Sequence, residues 1–344
     1  MARPREYDED DVRVRPGRSS RPRTRTRPRH SDAVEGMVVA VHLGRYQCVV
    51  DETAVTAMRA RELGRRSVVV GDRVALVGDV SGDPDQLARI VRVAPRRSTL
   101  RRTADDDQRT PEGRLERVVV ANADQLVIVS ALADPPPRTG FIDRCLVAAY
   151  DAEIDPLLCL TKADLTAGAD DPAVAELLDY YNALSLPYLL SRPDSPLEPL
   201  LRRLRGRMSV LVGHSGVGKS TLVNRLVPAA DRAVGAVSAV GKGRHVSSSA
   251  IALRLPASPG SGPESGWIID TPGVRSFGLA HVSADSLLAS FTDLAEGSAE
   301  CAPGCDHLGG PGCGLDAWVA AGRADPRRLA SYRRLLGSRG AGDA

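Results

Sequence analysis

Eight residues of this 344-residue chain, Gly213-His214-Ser215-Gly216-Val217-Gly218-Lys219-Ser220, have the types and spacing to cradle a polyphosphate. They follow the apolar run Met208 to Val212 and precede a segment of helical pattern beginning near Thr221, which is the strand, loop and helix context such a loop requires. Glycines let backbone N–H groups curl around phosphate oxygens, the Lys219 ammonium reaches the β and γ oxygens, and the Ser220 hydroxyl is a magnesium ligand. Asp270-Thr271-Pro272-Gly273, at the end of Trp267-Ile268-Ile269, adds the Asp270 carboxylate to the magnesium shell and a γ-phosphate sensor at Gly273. Thr161-Lys162-Ala163-Asp164 follows the apolar run Pro156 to Leu160. Its Asp164 is placed to accept both N–H donors of a guanine edge, and the stem of Lys162 can lie along the base. Thr161 offers a hydroxyl where a side-chain amide is more usual. Together these residues predict a site for GTP with magnesium, with Thr221 completing the phosphate contacts.

The order of the motifs is informative in itself. In an ordinary small GTPase the base-reading segment comes last; here it comes first, so the sheet that holds the site is expected to be circularly permuted. Such a cut is tolerated because domain termini lie near one another at the surface. Lysine usage supports the same residues. Of 46 basic residues only Lys162, Lys219 and Lys242 are Lys, and two of the three fall inside nucleotide motifs, where a compact ammonium on a flexible stem has no arginine substitute.

Elements able to position this site can be read on either side of it. Gln125 to Ser130 reads as a buried strand and Thr139 to Tyr150 as a helix, with Phe141, Ile142, Cys145, Leu146 and Ala149 at helical spacing. Strands are expected to end at Leu160, Leu190, Val212 and Ile269, and ligands bind beyond the carboxyl ends of strands in such sheets. Ser191 offers a further backbone contact to the base. Upstream, Met37 to Val41, Tyr46 to Val50, Val68 to Val70, Val74 to Val77 and Leu87 to Val93 read as five short strands of a small barrel, an OB-fold or an SH3-like one. Arg97 to Arg117 reads as a polar link.

A second cluster carries different chemistry. Cys301, Cys305, His307 and Cys313 offer three thiolates and an imidazole within thirteen residues, which fits one tetrahedral, structural zinc ion or, failing that, a group of free thiols. Gly304, Gly309, Gly310 and Gly312 allow the tight path four such ligands need. Leu315, Trp318, Val319, Leu329, Tyr332 and Leu335 are expected to pack this module against the nucleotide domain. Cys48, Cys145 and Cys159 read as reduced core residues.

The net charge of +3 conceals a basic tail, because residues 12 to 30 hold eight Arg and no acid, leaving −5 for the rest. That tail is expected to be disordered, either solubilising or attracted to polyanions. No run of about 18 apolar residues is present, which points to a cytoplasmic protein with no membrane partner.

The motif order, the barrel before it and the Cys/His cluster after it resemble the RsgA (YjeQ) family of circularly permuted, small-subunit-dependent GTPases. Arg138-Thr139-Gly140-Phe141-Ile142-Asp143-Arg144, Gly216 to Ser220, Asp270 to Arg275 and Phe277-Gly278-Leu279 carry the resemblance, which spans roughly residues 36 to 336. It departs in two places: one residue fewer separates Cys301 from Cys305 than the family pattern has, and Val246, Ser247 and Ser248 stand where its switch I has threonines. The resemblance implies GTP hydrolysis to GDP and phosphate, stimulated by the small (30S) ribosomal subunit and its rRNA, during late maturation of that subunit. It implies that His245 orients the attacking water, since Val274 cannot, and that Ser247 or Ser248 joins Ser220 and Asp270 around magnesium. The alternative is an RNA-binding assembly factor that uses nucleotide as a conformational switch with little turnover. The expected organisation is a multidomain monomer: tail 1–35, OB-fold barrel 36–100, linker 101–117, α/β permuted P-loop GTPase domain 118–285, and a zinc-binding module with helices over 286–344.

Overall fold

The structure is a computed structural model that describes residues 30–42, 44–63, 67–103, 116–167, 170–228, 250–256, 265–271, 277, 279, 281–310 and 312–338. The tail through residue 29, the centre of the predicted linker, and His245, Ser247, Ser248 and Gly273 lie outside the described residues.

Five strands form the barrel: β1 (Val34–His42), β2 (Arg45–Val50), β3 (Thr53–Arg59), β4 (Arg73–Val77) and β5 (Ala88–Val93). They run in the order β1-β2-β3-β5-β4, and β4 returns to pair with β1 from Met37↔Arg73 to Val34↔Leu76. Closure removes the free edges of the sheet. Burial alternates along β2, as period-two side chains require, and Val38, Cys48, Val55, Ala57, Leu76 and Ile90 fill the interior. Register shifts between Val38 and Ala40 and between Ala75 and Leu76 give the strands the bend a small barrel needs.

One barrel strand differs from expectation. Val68 to Val70 forms only an isolated bridge, Val70 to Val120, and the third strand is Thr53–Arg59. It is joined to β2 by Asp51 and Glu52, whose φ angles of 41° and 74° give the two-residue hairpin turn that Asn-Gly more often supplies. The segment read as a polar link also differs: its ends are β6 (Thr99–Thr103) and β7 (Glu116–Ala121), paired antiparallel.

The α/β sheet has the order β10-β9-β8-β11-β13-β12, from β8 (Gln125–Ala131), β9 (Asp155–Thr161), β10 (Tyr188–Leu190), β11 (Met208–Val212), β12 (Ile251–Arg254) and β13 (Trp267–Asp270). All pairs are parallel except β12 with β13. Every residue of β8 and β11 is buried, as strands covered on both faces must be. Counted from β11, the spatial order reads 6-5-4-1-3-2, so the strand before the phosphate loop is central although it is fourth in the chain. Ala40↔Ile251 pairs β1 with β12 and continues the sheet into the barrel.

Helices α1 (Thr139–Asp151), α2 (Pro172–Asn182), α3 (Glu198–Leu204) and α4 (Lys219–Leu226) lie between these strands in the chain. Alternate residues of β8 enter two separate cores. Leu126 and Ile128 meet Ile142, Cys145 and Leu146 of α1, whereas Val127 and Val129 meet Leu200 of α3 and Leu222 and Val223 of α4. Among the described residues four further helices follow: α5 (Ala284–Ala289), α6 (Thr292–Ala295), α7 (Gly314–Ala320) and α8 (Pro326–Ser338). Their Leu287, Phe291, Leu294, Leu315, Leu329, Tyr332 and Leu335 join the α1 core, so the C-terminal region shares a hydrophobic core with the sheet. The joint also has a polar element. Asp143 of α1 is 1% exposed, accepts hydrogen bonds from Ser331 of α8 and from Tyr181, and lies 3.7 Å from Arg334. Cys48, Cys145 and Cys159 are buried, and desolvation pushes the Cys48 and Cys159 thiols up to about 12, so they stay protonated and inert. Among the described residues no helix is long and apolar enough to cross a membrane.

Candidate functional site

The carboxyl ends of β8, β9, β11 and β13 bring the sequence motifs to one corner. The phosphate loop leaves β11 at Gly213, where a Cβ would stand 2.6 Å from the Val129 carbonyl oxygen and 3.0 Å from Val217 Cγ2. No side chain fits there. Gly216 and Gly218 take φ of 82° and 85°, conformations that glycine adopts without strain, and they turn the chain into α4 at Lys219. Val217, 4% exposed, anchors the loop in the α4 core, and His214 packs its ring 4.2 Å from that of Phe141. Ser215, Ser220 and Thr221 are exposed at the surface of the loop and the first turn of α4. Backbone N–H groups in that turn lack carbonyl partners within the helix, so the turn suits an anion.

β13 delivers Asp270 to the same place, where its carboxylate accepts a hydrogen bond from the Lys219 ammonium. Thr271 donates to the Leu211 carbonyl at 2.9 Å and fixes the end of β13 against β11. A cation and a carboxylate therefore meet beside the exposed Ser220 hydroxyl. Hard oxygen donors of this kind, a carboxylate and a hydroxyl on either side of a phosphate site, suit magnesium.

Thr161-Lys162-Ala163-Asp164 begins at the last residue of β9. Thr161 is buried and donates to the Val217 carbonyl of the phosphate loop at 2.5 Å, joining residues 56 apart in the chain. Lys162 has φ 55°, which turns its stem out of the strand. Its ammonium donates to the Asp134 carbonyl and lies 3.9 Å from the Asp134 carboxylate. Asp164, in the short 3-10 turn Ala163–Leu165, is exposed. Ser191 accepts from Ala163 N–H at 3.2 Å and donates its own N–H to Leu160 at 2.7 Å, so the end of β10 frames this corner as well. The contribution of Asp134 was not anticipated; the only local hint is the Pro135-Pro136-Pro137 run that follows it.

The Cys/His cluster assembles as its spacing predicts. The ligand atoms of Cys301, Cys305, His307 and Cys313 all lie within 4.8 Å of one another, and each residue is half-buried. Zinc–sulfur bonds of about 2.3 Å in a tetrahedron put donors about 3.8 Å apart, so the group fits the ion. Backbone N–H groups of His307 and Gly314 point at the Cys305 and Cys301 sulfurs, at 3.4 and 3.2 Å. Burial alone would raise the Cys313 thiol, but N–H donation from Leu315 and the Arg333 guanidinium outweigh it and hold the thiol below its usual range. Arg333, on α8, also donates to the His307 carbonyl at 3.0 Å and grips Asp316 through both guanidinium nitrogens. Positive φ at Gly304, Gly309, Gly312 and His307 lets one short segment return on itself.

Known proteins resemble this chain in sequence and in shape. The RsgA GTPase family model matches residues 93–280. Small ribosomal subunit biogenesis GTPase RsgA of Ectopseudomonas mendocina (strain ymp) is 42% identical over 276 residues, 79% of this chain and 75% of that protein. The protein of the same name from Chlorobaculum parvum is 37% identical over 279 residues, 80% of this chain and 86% of its own. Among solved structures, YjeQ from Thermotoga maritima superposes with a TM-score of 0.68 at 24% identity, covering 90% of this chain and all of that one. YloQ, a circularly permuted GTPase, gives 0.64 at 22%, covering 92% and 98%. These two likenesses establish the shared fold.

Proposed function

The chain belongs to the RsgA GTPase family, and from that premise we propose that it hydrolyses GTP to GDP and phosphate on the small ribosomal subunit, during that subunit's late maturation and under its stimulation. The single observation that carries the reading is the convergence of three motifs from distant parts of the chain, with Thr161 bonded to Val217 and Lys219 to Asp270. The ribosomal partner is supported by the name of the relatives, Small ribosomal subunit biogenesis GTPase.

In this reading the backbone of Gly213 to Thr221 and the Lys219 ammonium hold the phosphates, and Gly273 senses the γ-phosphate. Asp164 accepts the guanine N–H groups while Lys162 and Thr161 frame the base. Ser220, Asp270 and either Ser247 or Ser248 would hold magnesium, which would supply positive charge against that developing on the phosphoryl oxygens. His245 orients the attacking water, a task a neutral imidazole performs by accepting a hydrogen bond from the water O–H. Catalysis of this kind is positioning and charge stabilisation, so a partner that orders the water-positioning segment raises turnover strongly; activating proteins of Ras-type enzymes do so by about 10⁵-fold. The Cys/His module binds one zinc ion as a structural element, with Arg333 fastening α8 to it. The protein acts as a cytoplasmic monomer, with rRNA contacted by barrel, module and tail.

Co-sedimentation tests the assignment. Small subunits should retain the chain with magnesium and a non-hydrolysable GTP analogue and release it with GDP; equal retention in both states would count against a GTP-dependent ribosomal cycle. His245→Ala should still co-sediment and lose partner-stimulated turnover, and full turnover in that variant would remove His245 from the mechanism.

A further inference from the structure

We propose that the crevice between the barrel and the α/β sheet holds an unpaired nucleobase of single-stranded RNA, stacked on Trp267, a role that rests on the proposed action at the small ribosomal subunit. Trp267 begins β13 and Asp270 ends it, so about 10 Å of strand separates this site from the nucleotide site.

A cavity of about 590 Å³ opens where the outer faces of β1, β4 and β5 meet the start of β13. On one side Arg254 lies directly opposite Trp267 in the β12–β13 ladder, so guanidinium and indole share a face. Arg254 donates to Ser265 Oγ at 2.9 Å and to the Glu52 carboxylate at 2.7 Å, which holds its guanidinium in place. On the barrel side Glu35 and Arg92 flank Ala75 on neighbouring strands, through the pairs Glu35↔Ala75 and Ala75↔Arg92. Val74 and Leu76 fill the barrel interior, so this row faces outward, and the single methyl of Ala75 leaves a notch between a carboxylate and a guanidinium. Small barrels of the OB type bind oligonucleotides on the face of strands 2 and 3, whereas this crevice is formed on β1, β4 and β5.

The lining selects the ligand. Three guanidiniums, of Arg73, Arg92 and Arg254, meet three carboxylates, of Glu35, Asp51 and Glu52, so the crevice carries no net charge. A phosphate gains little there, because the carboxylates offset the guanidiniums. A neutral planar ring with donors and acceptors on its edge fits, since guanidinium N–H groups donate and carboxylates accept. Nucleobases have such an edge, and in unpaired RNA their faces stack on aromatic side chains and guanidinium planes. Trp267 is half-buried, with its backbone N–H bonded to the Arg207 carbonyl at 2.8 Å and its side chain packed against the α1 core. The platform is therefore anchored while part of it stays accessible. Between residues 36 and 96 the one aromatic ring of Phe, Tyr or Trp is that of Tyr46, buried in the barrel interior, so β13 supplies the stacking surface the barrel lacks.

The test uses the full chain carrying Trp318→Phe, in which Trp267 is the one remaining tryptophan. A single-stranded RNA oligonucleotide should quench its emission, and an abasic strand of the same length, which keeps the phosphates and lacks the rings, should not. In the otherwise unaltered chain, Trp267→Leu should weaken binding of the labelled oligonucleotide, read by anisotropy, by about 5- to 150-fold, with the salt dependence unchanged because stacking releases no counterions. Trp267→Phe keeps a ring and should retain most of the affinity. Arg92→Ala, at an exposed position outside the core, should weaken the oligonucleotide more than the abasic strand. Equal quenching by the abasic strand, or full affinity in both Trp267→Leu and Arg92→Ala, would overturn the proposal. RNA binding that leaves Trp267 emission unchanged defeats this proposal alone; a chain that binds no RNA and is not stimulated by small subunits defeats the ribosomal assignment as well.

Discussion

Replacing Asp143 with alanine should loosen the C-terminal helices from the α/β sheet. The carboxylate is 1% exposed on α1 and accepts from the Ser331 hydroxyl of α8, from Tyr181 at 3.5 Å, and from its ion pair with Arg334 at 3.7 Å. These terms differ in weight. The Ser331 bond is buried, and leaving its hydroxyl without an acceptor costs about 1–3 kcal/mol. The Tyr181 bond is long, and the Arg334 side chain is 53% exposed, so each adds under about 1 kcal/mol. Asp143→Ala should therefore cost about 3 kcal/mol. Much of that arises because Ser331, itself 1% exposed, loses its acceptor. The chain has two tryptophans, and Trp318 reports on this region because its indole N–H donates to the Asp293 carbonyl at 2.9 Å. In a Trp267→Phe background, urea unfolding followed by Trp318 emission should show the loss, and Asp143→Ala/Ser331→Ala should cost less than the sum of the single variants by about 1–3 kcal/mol. Additivity within about 0.5 kcal/mol would refute the claim that this bond fastens α8 to α1.

The same carboxyl gives a pH dependence: burial pushes Asp143 above its ordinary range, against the opposing effects of Ser331, Arg328 and Arg334. A raised folded-state value means its stabilising contribution is complete below about pH 4 and lost as pH rises through the folded value, so the stability of Asp143→Asn relative to wild type should climb from pH 4 upward; a flat difference would contradict the assignment. Metal analysis should find one zinc per chain, reduced in Cys305→Ser, and removal of the metal should lower the Trp318-detected transition; metal-free protein that unfolds like the untreated chain would exclude a structural ion. Gly213→Ala places a methyl 2.6 Å from the Val129 carbonyl and should weaken GTP binding at least about tenfold while most of the fold survives, as read by fluorescent-nucleotide titration; wild-type affinity would show that the loop can shift freely.

Local pattern made some of this legible and long-range pairing hid the rest. β8 and β11 are continuous apolar runs, α1 repeats its apolar residues at helical spacing, and the phosphate loop is recognisable from glycine and lysine positions alone. β3 carries no clear signal because Thr53–Arg59 lacks apolar–polar alternation, with Val55 and Ala57 buried but the apolar Ala54 and Met58 exposed, and because its hairpin turn is built from Asp51 and Glu52 with no glycine. β6 and β7 were obscured by Arg101, Arg102 and Arg117, whose charges read as a solvated link. The site followed the same division. Its motifs are local strings and could be named, whereas the Thr161–Val217 and Lys162–Asp134 bonds join positions 56 and 28 residues apart, and no local periodicity encodes such partners.

Phosphate release from GTP and from ATP, with magnesium, in the presence and absence of purified small ribosomal subunits, decides whether the chain is a ribosome-activated GTPase. Slow release from GTP alone, strong stimulation by subunits, and no comparable response with ATP are expected. Tight GTP binding with no stimulated release would contradict this and leave a nucleotide-switched assembly factor in place of a ribosome-activated GTPase.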